Sequence, residues 1–267
     1  MFSLLGRLEN PALAAPLFEG WEETLILSSL SGVMGIVYAD LSESPLGSAM
    51  CFLGDFAFYA GEPSEKLLRF SPEGRPRFCI LTPRDEKWSA LIERVYGGSC
   101  EKQLRYAFHR SETHFDTEKL RQLAAALPEG YRITPMDGSL YRICLEAEWS
   151  RDFVSQFQDE ADYLNRGLGM AVMHQEDLVG GASSYSVFPG GIEIEIDIAE
   201  DHRRKGLATA CAAALILEAL KRGLYPSWDA ANAISVKLAH KLGYGTAREY
   251  PVYFTDRMGF PEGESNI

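Results

Sequence analysis

Hydrophobic and polar positions alternate most regularly from Gly191 to Ile198. Isoleucines at 192, 194, 196 and 198 take turns there with Glu193, Glu195 and Asp197. A period of two marks a strand with two unlike faces. A short basic loop follows, and then residues 207–220, apolar nearly all round and rich in alanine in their first half. That pattern predicts a helix buried between layers. Upstream, 170–174 and 178–187 read as a hairpin about Glu176-Asp177, and Pro189-Gly190-Gly191 turns the chain into the central strand. The expected core is three successive strands meeting one helix loop. Downstream come a short strand over 224–229 and a helix opened by Asn232, with Ile234, Leu238 and Leu242 as its stripe and Gly243 as its stop. A final strand or hairpin covers 250–254.

The first half is less regular. Residues 1–18 suggest helical turns interrupted at Pro11, 24–38 two short strands about Ser31-Gly32, and 50–59 and 77–81 further strands. Thr82-Pro83 opens a helix through Trp88, Leu91, Ile92 and Val95, with Asp85 and Glu86 in its first turn. A strand over 104–109 precedes a helix capped by Asp116 or Thr117 and ending near Leu127. Leu127-Pro128-Glu129-Gly130 breaks that helix and is the expected linker, dividing the chain into 1–127 and 130–267. Beyond it the pattern predicts a strand over 131–134 and a helix over 139–149. Ser150 should cap another helix carrying Phe153, Val154 and Phe157, with the acids at 159, 160 and 162 on a solvated face. The order indicates a mixed α/β protein with a smaller mixed α/β N-terminal domain.

Composition narrows the setting. In 267 residues, 46% are hydrophobic and 24% charged, as in a soluble globular protein. A net charge of −12 argues against nucleic acid or an anionic membrane as partner. The five cysteines form no close pair, so a reduced, cytoplasmic setting with mostly buried thiols is expected. No run approaches the roughly 20 apolar residues that span a bilayer. His109 and His114 lie near Asp116, but their spacing suits neither one face of a helix nor a strand, so no metal is expected.

Against that acidic background, Arg203, Arg204 and Lys205 stand just ahead of a helix. Cations are the wrong sign for a helix N-terminus, whose exposed N–H groups already carry partial positive charge. An anion seated on those groups and paired with the arginines removes the conflict. Gly206 leaves room for the backbone to approach such a ligand, and Ala208 keeps the first turn thin. The six residues Arg203-Arg204-Lys205-Gly206-Leu207-Ala208 read R-x-x-G-x-A.

With the second motif, Asn232, Ser235, Lys241 and Gly243-Tyr244 in the order N-x-x-S…K-x-G-Y, the chain resembles the GNAT acetyltransferase superfamily over about 130–254. The phrases GIEIEID and GLYPSWDAAN also resemble the subgroup that includes the zwittermicin A resistance acetyltransferase, which carries an extra N-terminal domain. The resemblance implies an α/β (α+β) fold with a mixed twisted sheet splayed beside the central strand and flanked by helices. It implies acetyl-CoA as co-substrate. Pantetheine would pair with backbone near Ile196 and Ile198, and residues Arg203, Arg204, Lys205, Gly206, Leu207, Ala208 and Thr209 would hold the diphosphate. Asn232 would contact the pantetheine side.

Direct acetyl transfer needs a neutral amine, and an amine of pKa ~10.4 is only about one part in a thousand neutral near pH 7. Glu193 and Glu195, on the face opposite the isoleucines, are the candidate general bases; a polar sheet face or a cation-binding role is the plain alternative. Asp197 lies nearer the loop. Relatives place a tyrosine acid near 238–239, where this chain has Ala239; Tyr244 or Tyr253 stands as substitute. The expected activity is N-acetylation of a small-molecule amine, such as an antibiotic or metabolite, with homodimerisation left open. The alternatives are a non-catalytic acyl-CoA-binding protein and an N-acetyltransferase acting on proteins or peptides.

Overall fold

The computed structural model describes residues 4–72 and 78–257. The chain forms two compact units, one of Met1–Arg105 with Glu249–Ile267 and one of Tyr106–Arg248. Arg77 and residues 1–3, part of two expected elements, lie outside the described residues.

The strands in chain order are β1 (Leu5–Arg7), β2 (Ile36–Asp40), β3 (Ser48–Leu53), β4 (Phe56–Gly61), β5 (Cys79–Pro83), β6 (Glu101–Phe108), β7 (Tyr131–Pro135), β8 (Gly169–His174), β9 (Asp177–Phe188), β10 (Gly191–Ile198), β11 (Tyr225–Ser227), β12 (Asp229–Ala230) and β13 (Ala247–Thr255). The helices are α1 (Thr24–Leu30), α2 (Glu65–Leu68), α3 (Glu86–Tyr96), α4 (Thr117–Ala125), α5 (Gly138–Glu146), α6 (Glu148–Arg151), α7 (Glu160–Arg166), α8 (Leu207–Lys221) and α9 (Ala233–Leu242).

In the first unit β1 to β4 pair antiparallel in sequence order, and β5 joins β4 in parallel. Its core gathers Met50, Tyr59, Leu67, Leu68, Trp88 and Tyr96. In the second unit one five-stranded sheet has the order β11-β10-β9-β8-β7. It too is antiparallel except for β10 with β11. The expected core of three strands against one helix is present: α8 packs on β8, β9 and β10. Ile192, Ile194 and Ile198 are buried in one cluster with Leu207, Cys211, Leu215 and Ile216.

The two units repeat one sequence of elements. Three antiparallel strands, a helix, a strand parallel to the last of the three and another helix appear as β2-β3-β4-α2-β5-α3 and again as β8-β9-β10-α8-β11-α9, the second time with the two-residue β12 between β11 and α9. The helices after the third strand differ sharply. Helix α2 has four residues, an N-cap at Ser64 whose side chain accepts from Leu67 N, and Glu65 in its first turn. Those are the features that folding alone favours at a helix start. Helix α8 has fifteen residues and none of them.

Several expectations are corrected. Residues 24–30 form a buried helix, not a strand; a short apolar run does not distinguish the two. Ser29 Oγ donates to Leu25 O at 2.9 Å, so its hydroxyl is satisfied inside the helix. The stretch 50–59 is two strands, β3 and β4, hinged at Gly54 with φ +57°. Ser150 lies within α6 and donates to Cys144 O, while Asp159 caps the next helix. Of the acids there, Asp162 is held by Arg166 and Glu160 by Arg142. The compact units part at Arg105 and Tyr106 and again at Arg248 and Glu249, not at the proline-glycine linker. Helix α4 packs on α8 and so belongs to the second unit, whereas β13 pairs with β5 through Tyr253 and Leu81.

Candidate active site

Strand β10 delivers the chain to the basic loop, and the loop is built for unsatisfied donors. Arg204 has φ +63° and Gly206 φ +83°, two left-handed residues just before α8. Gly206 is the N-cap and supplies no side-chain acceptor. A Cβ at Gly206 would meet nothing within 4 Å, so glycine serves the backbone angle there and not a close packing contact. Beyond it the first turn is Leu207, Ala208 and Thr209, and Ala210 N is the first to bond back, to Gly206 O at 3.2 Å. The first N–H groups therefore face outward without an intrahelical partner.

The three cations have different duties. Arg203 turns back onto the strand, its Nε donating to Ile198 O at 2.8 Å and its guanidinium pairing with Asp197 at 3.2 Å. Lys205 Nζ donates to Tyr131 Oη at 3.1 Å and Asp201 O at 3.0 Å. Tyr131 Oη also lies 2.9 Å from His202 Nδ1, so β7 ties the loop down from the side. Arg204 is exposed and makes no ion pair among the described residues. Sequence reasoning did not find Tyr131 and His202; their role appears only once β7 and the loop are side by side.

The sheet opens beside the loop. The parallel ladder of β10 and β11 runs Gly191↔Tyr225, Ile192↔Pro226 and Glu193↔Ser227. From Ile194 to Ile198, β10 pairs with β9 alone among the described strands. At the same level β9 carries a bulge: Glu193 faces Ser186 and Ile194 faces Ser184, leaving Tyr185 as the extra residue. Bulges bend a strand and increase its local twist, so this one accompanies the divergence of β10 from β11. Of the two strand residues expected to meet pantetheine, Ile198 has both backbone groups engaged, its N–H with Asp197 Oδ1 at 2.7 Å and its carbonyl with Arg203.

Glu193 stands at the vertex of this opening and is only 6% exposed. Glu195 and Asp197 follow along the open half and are half-buried. Two tyrosines feel the charge of Glu193. Burial pushes the Tyr225 phenol up, the Thr113 hydrogen bond draws it down, Glu193 adds to the rise and Arg110 opposes it. Burial pushes Tyr244 well above the usual phenol range, with Tyr225 and Glu193 adding to it. Tyr244 Oη donates to Pro226 O at 2.6 Å in buried surroundings, holding β11 beside the vertex.

The second motif opens and closes α9. Asn232 caps α9, its Oδ1 accepting from Ile234 N and Ser235 N at 3.0 Å each. Ser235 Oγ accepts from Trp228 Nε1 at 3.0 Å. Ala239 is fully buried, so its face of α9 packs into the core cluster of the second unit. Gly243 ends the helix with φ +115°. Among the described residues no group of acids, histidines and cysteines could hold a metal ion, and no helix is long and apolar enough to cross a membrane. All five cysteines are free, and four are buried.

Comparison with known proteins agrees with this geometry. The profile of the family described as GNAT acetyltransferase matches residues 15–253. An uncharacterized N-acetyltransferase of Bacillus subtilis, YdfB, is 25% identical over 238 residues, covering 84% of this chain and 86% of its own. The crystal structure of a GCN5-related N-acetyltransferase-like protein from Streptococcus suis is 45% identical, with a TM-score of 0.87 over 93% of this chain and 99% of its own. A tandem GNAT protein from the clavulanic acid biosynthesis pathway shares the fold at 13% identity, with a TM-score of 0.51 over 99% of this chain and all of its own. The chain belongs to the GNAT acetyltransferase family and is an acyltransferase of its N-acetyltransferase kind.

Proposed function

We propose that the second unit transfers the acetyl group of acetyl-CoA directly to a primary amine of a small molecule. The observation that carries this reading is the contrast at one topological position. Helix α2 starts with a serine cap and an acid, whereas α8 starts with no cap, two left-handed residues and a basic run. An uncapped, cation-flanked start is costly for folding and suited to an anion. Coenzyme A brings such an anion in its diphosphate.

On this reading the N–H groups at Lys205, Gly206, Leu207, Ala208 and Thr209 meet the diphosphate, and Arg204 supplies the free positive charge. Arg203 braces the loop against β10, and Lys205 is held ready by Tyr131. The pantetheine arm lies along the open edge of β10 and pairs with the backbone at Ile196, while the groups of Ile198 hold the loop. Asn232 keeps α9 in place on the far side of the opening through its cap. The thioester then points toward the vertex, where Glu193 stands.

Glu193, acting directly or through a water, takes a proton as the amine nitrogen attacks the thioester carbonyl; the C–N bond forms and the C–S bond breaks. Coenzyme A leaves as a thiolate, which its own acidity permits. Glu195 lies farther along the open half and helps draw the cationic acceptor in. Tyr244, although a candidate acid from the sequence, is assigned to anchoring β11, because its proton is already given to Pro226 O. The phrases GIEIEID and GLYPSWDAAN favour the subgroup that includes the zwittermicin A resistance acetyltransferase, and so a small acceptor over a protein or peptide one.

The test is release of free thiol from acetyl-CoA with a panel of small amines and peptides. Wild-type protein is expected to release thiol with a small amine, with kcat/KM rising toward alkaline pH. Glu193→Gln is expected to lower kcat/KM by about 10²–10⁴ near neutral pH, with the deficit shrinking toward alkaline pH as the amine loses its proton unaided. Unchanged pH–rate profiles in both Glu193→Gln and Glu195→Gln would remove the base from the mechanism. Turnover with peptides alone would move the acceptor to a different class.

A further inference from the structure

Beside the vertex lies a set of side chains that acetyl transfer itself does not require. Ser186 stands opposite Glu193 in the β9–β10 ladder. Its Oγ is fully buried and has no hydrogen-bond partner among the described residues. Buried hydroxyls are nearly always paired, so an orphan beside a proposed reaction centre marks a place for a ligand atom. Tyr225 sits two residues back from the vertex, paired with Gly191, and its Oη lies 3.3 Å from Thr113 Oγ1. Over its ring stands Arg110, with the guanidinium carbon 4.9 Å from the ring centre.

Arg110 is the informative member. It is exposed, yet among the described residues it makes no ion pair, in a chain with 38 acids against 26 basic residues. It stands two residues beyond β6, whose Tyr106 and Ala107 pair with β12, and it opens the short turn Arg110–Glu112. The electrostatic reach of Glu193 and of Arg110 overlaps on one phenol. A simple ammonium entering here would be attracted by Glu193 and repelled by Arg110. A molecule bearing both charges would be attracted by each.

We infer that the acceptor is an amino-acid-like molecule: a primary amine that also carries a carboxylate, with the amine at Glu193 and Ser186 and the carboxylate on the guanidinium of Arg110. The planar fork of arginine matches a carboxylate with two parallel hydrogen bonds, which a lysine does not reproduce. Stacking on Tyr225 holds that fork in one orientation. Ser186 Oγ gains its missing partner from the incoming nitrogen. The inference rests on the acetyl-transfer reading above and adds the chemical class of the acceptor.

The experiment compares amines in matched pairs, each an amino acid and its decarboxylated counterpart, for example γ-aminobutyrate against n-propylamine. Thiol release and acetyl-CoA stabilisation of the protein are measured on the same samples. Wild-type protein is expected to prefer the carboxylate-bearing member of a pair by about tenfold or more in kcat/KM, the range for a charge-assisted hydrogen bond. Arg110→Gln is expected to bring that ratio close to one, chiefly through KM, and Arg110→Lys to restore part of it. A preference for the carboxylate-free amines overturns the inference, and so does a preference that survives in Arg110→Gln. Acetylation of amines without any such ratio defeats this inference and leaves acetyl transfer standing. Acetyl-CoA stabilisation with no amine acetylated defeats both.

Discussion

Replacing Gly206 by alanine isolates the left-handed turn ahead of α8. A Cβ at this position meets nothing within 4 Å, so no steric clash enters the outcome. What remains is the backbone angle, φ +83°, which costs an alanine roughly 1–2 kcal/mol. Part of that is offset, since alanine restricts the unfolded chain and returns about 0.4–1 kcal/mol. Net destabilisation should therefore be close to 1 kcal/mol, read from the urea midpoint at unchanged m-value. If the free variant relaxes the turn to negative φ, binding must restore it, and acetyl-CoA affinity falls about 5- to 30-fold. Gly206→Asn controls for the loss of glycine, because asparagine tolerates the left-handed region and should keep most of the affinity. Titration calorimetry with acetyl-CoA alongside urea unfolding gives both numbers. An alanine variant with wild-type midpoint and wild-type affinity would show that the turn is not what presents the N–H groups.

Two further outcomes follow from the same geometry. Asn232→Ala should cost about 1 kcal/mol of stability in urea unfolding, because its side chain caps α9; a change in acetyl-CoA affinity with no change in stability would instead make Asn232 a ligand contact. Burial pushes the Cys211 thiol from its usual 9.0 up to about 12, so above pH 9 the folded protein keeps a proton that the unfolded chain gives up. Its contribution is fully present below about pH 9 and is lost toward pH 12; Cys211→Ala should flatten the alkaline decline by up to about 1.4 kcal/mol per pH unit, and parallel slopes would contradict the assignment.

What the sequence disclosed depended on how local each cause was. The strand over 191–198, the uncapped helix behind it and the Asn232 helix are written in short-range patterns of alternation, charge and capping. All three stand where the pattern puts them. The errors arose where the cause was distant. Residues 24–30 have a strand-like run but fold as a helix, with Leu25, Ile26 and both serines buried and the serine hydroxyls donating to carbonyls of Leu25 and Met34. The proline-glycine break at 127–130 is a real local stop, but it does not divide the units, since α4 packs onto α8 after it. The site was legible to the same degree. Glu193 and Glu195 were visible on one face, but only the β10–β11 register singles out Glu193 as the residue at the vertex. Tyr225, Ser186 and Arg110 carry no motif; they come together through a strand pairing, a bulge and a ring contact. Tyr244 was legible as a conspicuous tyrosine, whereas its commitment to Pro226 O was not.

A crystal structure of the protein with acetyl-CoA tests whether the start of α8 holds the diphosphate. The diphosphate is expected within hydrogen-bonding distance of the backbone N–H groups at residues 205–209, with the thioester at the vertex formed by Glu193 and Ser227. A diphosphate bound away from the start of α8, or a thioester remote from Glu193, would contradict this expectation.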